Sequence, residues 1–195
     1  LGAGATKWWG GVRSIEGHIY GIPHYSTQVL KINTFNDTTT LVGSKLTAGL
    51  GKWAGEVHGS NGHIYGIPYD STKVLKIDTG TDSTTLIGSD YATTKKWWGG
   101  VLSVDGRHIY GIPYDSTKVL KIDTATDTTT LVGSDLGTAV RKWAGGARSA
   151  QGLTYGIPSS SSKVLKIGGA DSCVSACPVG TRKDENSCIA CEAGQ

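Results

Sequence analysis

The sequence predicts an all-β protein assembled from a repeated unit of four antiparallel strands, and three observations predict it. The tetrapeptide YGIP occurs at Tyr20, Tyr65, Tyr110 and Tyr155, with 45 residues between successive tyrosines (65−20, 110−65, 155−110). Each copy is preceded by a Lys-Trp pair and followed by a VLKI-type run at Val29, Val74, Val119 and Val164. The composition is rich in glycine (29 residues) and poor in charge (18%), and Val, Ile, Thr, Tyr and Trp crowd the repeats, as strands require. A fixed period of this size marks stacked or circular repeats, so function is sought where the repeat is broken.

The third copy shows the unit most clearly. Gly99–Val104 is an apolar run that predicts a first strand, and Asp105-Gly106 a hairpin turn of the I′ type, in which glycine supplies a positive φ. His108–Ile112 predicts a second strand, stopped by Pro113 and followed by a loop over Tyr114–Thr117. Lys118–Asp123 alternates as a third strand, Thr124–Asp127 turns the chain, and Thr128–Gly133 predicts a fourth. The other copies place Glu16-Gly17, Asn61-Gly62 and Gln151-Gly152 at the first turn.

Four antiparallel strands in about 45 residues is the size of one β-propeller blade. The predicted repeat region is 1–170, with blades at 7–51, 52–95, 96–141 and 142–168. In the fourth copy Gly168-Gly169-Ala170 stands where the turn and last strand are expected, so that blade reads as incomplete. Leu1-Gly2 aligns with Leu136-Gly137, six residues before Lys7 and Lys142 respectively. The expectation is a polypeptide that extends upstream, with a strand before Leu1 able to complete the last blade.

The GGV step, the DG-x-IY hairpin, VLKIDT and TTTLVG together resemble the kelch repeat over residues 7–168. The pattern departs from that family where Gly-Ile-Pro follows the second strand, and where the tryptophan precedes the first strand. The resemblance implies four-stranded blades and a protein-interaction platform.

Residues 171–195 hold all four cysteines, Cys173, Cys177, Cys188 and Cys191. A CxxC beside a second pair fits zinc. A short loop-rich segment carrying Pro178 and Gly180 fits disulfides, and disulfides are the reading taken. The segment is similar to the cysteine-rich modules of furin-like, growth-factor-receptor and tumour-necrosis-factor-receptor ectodomains. That resemblance implies the pairs Cys173–Cys188 and Cys177–Cys191 and a module that continues beyond Gln195. Disulfides imply a secreted or cell-surface protein. Asn36-Asp37-Thr38 is a glycosylation acceptor placed on a turn. The threonine clusters are read as exposed strand residues in preference to O-glycan sites.

The net charge of +3 is spread along the repeats and forms no nucleic-acid footprint, and no apolar run is long enough to span a membrane. His18, His63 and His108 repeat on the second strand, away from a propeller axis, so no metal ring is expected. His24 and His58 read as loop singletons. Asp78/Asp82 and Asp123/Asp127 read as turn caps, because a calcium loop needs further acidic ligands. No nucleophile motif appears, no catalytic residue or cofactor is assigned, and the expectation is a protein that is not an enzyme.

Aromatic residues remain as binding candidates. Trp8, Trp53, Trp97 and Trp143 recur once per blade, a regularity that favours packing in the wedge between blades; Trp9 and Trp98 add a second, less regular tryptophan in alternate copies, where the others have Ala54 and Ala144. Tyr25, Tyr69 and Tyr114 lie in the loops after YGIP. Two functions follow. One is a non-enzymatic structural subunit of an extracellular fibre, wall or surface appendage that self-associates, its open blade edge filled by strand addition from a neighbour. The other is a lectin with one aromatic site per blade, tested by whether those aromatics are exposed on one face. An intracellular kelch adaptor is a third, which intact disulfides exclude.

Overall fold

In a computed structural model the described residues are 4, 6–168 and 174–178, the last of these as backbone. They form sixteen strands in four antiparallel sheets and no helix. The first sheet is β1 Trp8–Arg13, β2 Ile19–Pro23, β3 Val29–Asn33 and β4 Thr38–Val42; the second is β5 Trp53–His58, β6 Ile64–Pro68, β7 Val74–Asp78 and β8 Ser83–Ile87. The third is β9 Trp97–Leu102, β10 His108–Pro113, β11 Val119–Asp123 and β12 Thr128–Val132; the fourth is β13 Trp143–Arg148, β14 Thr154–Pro158, β15 Lys163–Ile167 and β16 Val174–Pro178. Strands pair in chain order within each sheet, as propeller blades do.

The fourth blade corrects the reading of an incomplete unit. Val174–Pro178 pairs with β15 in antiparallel register, Val164 opposite Cys177, and is the fourth strand. Six residues (168–173) separate β15 from β16, against four (124–127) between β11 and β12, and VSACP matches TTTLV at no position. The strand is therefore invisible to the repeat. Its presence also removes the open ladder expected to receive a strand from a neighbour.

The first hairpin differs as well. Ser14 N–H donates to His18 O, Gly17 N–H donates to Ser14 O, and only Gly17 is left-handed (φ 94°). This is a tight turn closed by a glycine bulge; a I′ turn needs two positive φ values.

Both faces of a blade are apolar because both are covered. The three interfaces between blades repeat one pattern. Between blades one and two, Tyr20, Ile22 and Val29 pack on Trp53, Ile64, Leu75 and Ile77. Tyr65, Ile67 and Val74 meet Trp97, Ile109, Leu120 and Ile122 in the next interface. The last uses Tyr110, Ile112 and Val119 against Trp143, Leu165 and Ile167.

The strands β1, β5, β9 and β13 lie side by side along the inner edge. A β-bulge at Gly55 and Gly99 (φ 87° and 74°) brings them close: a Cβ on Gly55 would lie 2.7 Å from the Gly99 α-carbon, and one on Gly99 3.0 Å from Gly145. A Cβ on Gly145 would meet nothing within 4 Å among the described residues.

Each interface also carries a polar latch. Asp78 and Asp123 cap their turns as read from the sequence, accepting from Gly80 and Thr81 N–H and from Ala125 and Thr126 N–H. The second aspartate of the motif does something else. Asp82 is left-handed (φ 55°) and reaches back to blade one, where Tyr20 Oη donates to it at 2.6 Å and Lys31 Nζ at 2.7 Å. Asp127 takes Lys76 Nζ at 2.6 Å and Tyr65 Oη at 3.5 Å in the same way. Burial and the aspartate acceptor push the Tyr20 phenol up, and burial pushes Tyr65 up to about 12.

Candidate functional site

The repeat divides the tryptophans into two kinds. Trp53, Trp97 and Trp143 are 1–2% exposed, and their indole N–H groups donate to the carbonyls of Lys73, Lys118 and Lys163 at 2.6–2.9 Å. Trp8 makes the equivalent bond to Gln28 O at 2.9 Å and is half-buried. Trp53, Trp97 and Trp143 are wedges between blades, and no ring face of theirs is open to a ligand.

Trp9 and Trp98 leave the repeat and leave the core. Trp9 is 41% exposed and lies edge-on to Trp98, with ring centroids 5.3 Å apart, although the whole of blade two lies between them in sequence. Tyr69 and Tyr114 flank Trp98 at 5.4 and 5.2 Å, and Tyr69 reaches Tyr114 at 5.9 Å. On the other side Trp9 touches His24 (5.3 Å), which stacks on exposed Tyr25 at 4.9 Å and 17°. Six rings from three blades thus form one continuous cluster at one end of the inner strands.

The lysines of the Lys-Trp pairs build this end. Lys96 O accepts from Tyr114 and Ser116 N–H in its own blade, while Lys96 N–H and Nζ both donate to Tyr69 O of the blade before. Lys52 clamps Tyr69 and His24 in the same manner. Burial lowers the ammonium pKa of Lys52 and Lys142, and brings Lys96 down to about 8. His24 is buried, with Nδ1 2.8 Å from Trp53 O, and so is a built part of the cluster and not a loop singleton.

One carboxylate interrupts the inner strands. Glu56 stands where the other blades have Gly11, Gly100 and Gly146. Its carboxylate rests against Gly10, the residue after Trp9, where a Cβ would collide with Oε2. Glu56 Oε2 is buried without a hydrogen-bond partner among the described residues, and so is Nε2 of His58, two residues on along β5. His58 is thus a strand residue, not a loop one. Burial raises the Glu56 carboxyl, opposed by the Gly11 N–H. A carboxyl whose folded pKa is raised holds its proton longer in the folded state, so it lowers stability as pH climbs above 4.5. Glu56→Gln is expected to melt with wild type near pH 4 and to exceed it by about 1 kcal/mol at pH 7, read by calorimetry across that range.

The remaining candidates separate. His18 packs edge-on to Phe35, and His108 faces Asp105 and Asp123 at 3.4 and 3.8 Å. No group of three His, Cys, Asp or Glu side chains that could hold a metal assembles among the described residues. Asn36 is exposed on the β3–β4 turn, its Oδ1 accepting from Thr38. Cys173, Cys188 and Cys191, and with them both bridges read from the sequence, lie outside the described residues, and Cys177 is placed only as backbone in β16.

No known protein family matches the sequence. No curated protein matches it either. Solved structures do match the fold. Virginiamycin B lyase from Staphylococcus aureus superposes with a TM-score of 0.74 at 10% identity, over 93% of this chain and 58% of that one. A streptogramin B lyase gives 0.71 at 12%, over 93% and 58%. An auxiliary nutrient binding protein from Bacteroides ovatus gives 0.58 at 16%, over 85% and 46%. The chain therefore spans about half the length of these structures. The likeness establishes the β-propeller architecture. It also corrects the expectation that the chain is not an enzyme: that expectation rests on the lack of a nucleophile motif, and propellers of this form include a lyase.

Proposed function

We propose that the chain is a recognition protein that binds a saccharide on the aromatic end of its propeller. The observation that carries this is the convergence of Trp9, His24, Tyr25, Tyr69, Trp98 and Tyr114 into one partly exposed cluster. A sugar ring presents C–H faces that lie on aromatic rings, while its hydroxyls need polar groups at the rim. The site is single and axial, in place of one site per blade, because Ala144 and Ser159 replace the aromatics in blade four. Glu56 adds the one carboxylate of the inner strands beside Gly10. An extracellular setting goes with this reading: the Asn36 acceptor would carry a glycan, and the tail would carry the bridges Cys173–Cys188 and Cys177–Cys191. The nutrient-binding neighbour supports the same class of task.

An immobilised-glycan screen, followed by calorimetric titration of the hits, tests it. Wild type is expected to bind a defined saccharide set, and Trp98→Ala to weaken that binding at least ~10-fold, the loss of about 1.4 kcal/mol of stacking. No saccharide bound, or binding unchanged in Trp98→Ala, would overturn it.

A further inference from the structure

The connection between β8 and β9 breaks the repeat. Tyr91 lies six residues before Trp97, whereas its counterparts Leu46 and Leu136 lie seven before Trp53 and Trp143. The three are equivalent in space as well, because each donates its N–H to a threonine carbonyl in the loop before its blade's third strand (Thr27, Thr72 and Thr117). The Tyr91 ring stands edge-on to Trp97 at 5.0 Å, and Tyr91 Oη donates to Thr129 Oγ1 of blade three at 2.8 Å. The tyrosine is thereby fixed across the interface. A shorter connection covers less of the interface beneath it. A groove of about 730 Å³ lies there, within the range of small-molecule sites. Blades two and three form it, and each of them has a neighbour on both sides.

The groove runs from the outer strand of blade three towards the inner one. Leu131 of β12, 47% exposed, stands at the outer end, and Tyr91, Thr94 and Thr117 line the sides. Lys96 and Trp97, each 1% exposed, close the inner end. Lys96 is a wall shared with the aromatic cluster: its Nζ donates to Thr93 O on the groove side and to Tyr69 O on the cluster side. The chain links the two places directly. Trp98 of the cluster follows Trp97, and Tyr114 of the cluster precedes Asp115, which lines the groove. The charges of these walls are engaged within the protein. Lys118 Nζ donates to Gly133 O at 2.7 Å, and Asp115 accepts from Arg141 N–H at 2.6 Å. What faces a ligand is threonine hydroxyls, the exposed Asp90 carboxylate and the apolar surface of Leu131 and Tyr91. That combination suits a neutral molecule with many hydroxyls and apolar faces.

We infer that the saccharide site continues from the aromatic cluster into this groove, so that the ligand is a linear oligosaccharide held in two subsites. The inference rests on the saccharide reading and names the substrate class within it. One sugar unit stacks on Trp98 at the propeller end. The units after it pass over Lys96 and lie between Tyr91 and Thr94 on one side and Thr117 and Leu131 on the other. Binding in one subsite makes binding in the other intramolecular, so affinity rises with chain length until the groove is filled.

The test is calorimetric titration of the 195-residue chain with linear gluco-, xylo- and chito-oligosaccharides, each from the monosaccharide to the hexamer. In the series that binds, affinity is expected to rise at least ~10-fold with length. Two variants change the groove at side chains already in water: Leu131→Asp removes apolar surface and Ala92→Trp fills the space. Both should melt as wild type, and in both the ratio of long-chain to short-chain affinity should fall towards one. Trp98→Ala, in contrast, should weaken short and long oligomers together. A wild-type affinity that does not rise with length overturns the inference and leaves the saccharide reading standing. So does a length dependence that survives in both groove variants. Failure of every series to bind overturns it too, and the glycan screen then shows whether the saccharide reading fails with it.

Discussion

Trp97→Ala is expected to lower the unfolding free energy by about 3–5 kcal/mol, the range for truncating a large buried aromatic. The melting temperature should fall by roughly 6–20 °C for a chain of this size. Trp97 is 1% exposed and packs against Val57, Tyr65, Ile67 and Val74 of blade two. Alanine would leave a cavity between blades and the Lys118 carbonyl without its 2.9 Å indole donor. In a repeat array each blade is held chiefly by its neighbours, so one weakened interface loosens both sides of it. The same change at Trp8 should cost less, because Trp8 is only half-buried. Thermal melts of the two variants, monitored by near-ultraviolet circular dichroism, check the ordering.

Asp82→Ala is expected to destabilise by about 1–2 kcal/mol, an amount kept modest because the carboxylate is a third exposed. Three effects combine. Tyr20 Oη loses a 2.6 Å acceptor, Lys31 Nζ is left at a blade interface without its carboxylate, and alanine takes up a φ of 55° that it resists. Asp82→Asn should cost less than alanine, since asparagine tolerates this backbone and still accepts from the tyrosine. Asp37→Ala is the control in the single chain. It has the same backbone conformation but no partner within the described residues, so only the backbone part remains. A double-mutant cycle of Asp82→Asn with Lys31→Met reads the pair itself. A coupling near zero would mean that the apolar interface alone registers the blades.

The strands were legible because each is a short run with its own stop: the YGIP proline, the glycine turns and the Asp-capped loops place most strand ends of the first three blades to within about two residues. The blade interface was legible only in part. Alternation in VLKID shows that side chains project to two sides, but not that both sides are covered, which is what makes Leu120 and Ile122 core residues together with Val119. The latch was hidden for a related reason. Asp82 and Asp78 look alike as turn residues, and the period says that Asp82 recurs without saying which neighbour it touches, 62 residues away in the case of Tyr20. The fourth strand of blade four fell outside the repeat altogether. At the candidate site, the second tryptophans were visible as breaks in the pattern; Glu56 was missed, although its place among three glycines is a break of the same kind. The repetition of the regular tryptophans already favoured packing over binding, because every blade must pack in the same way. That six rings meet in one cluster required knowledge of which strands line the inner edge.

The measurement that tests the central claim most directly is a paired one on Trp97→Ala and Trp98→Ala, adjacent residues with opposite environments. Each variant is melted and titrated with the saccharide found by the screen. The account predicts that Trp97→Ala lowers the melting temperature strongly while its folded fraction still binds. It predicts that Trp98→Ala melts within a few degrees of wild type and loses binding. A Trp98→Ala protein that binds as well as wild type, or one that unfolds as readily as Trp97→Ala, would contradict the division between a structural tryptophan in the blade interface and a recognition tryptophan on the propeller end.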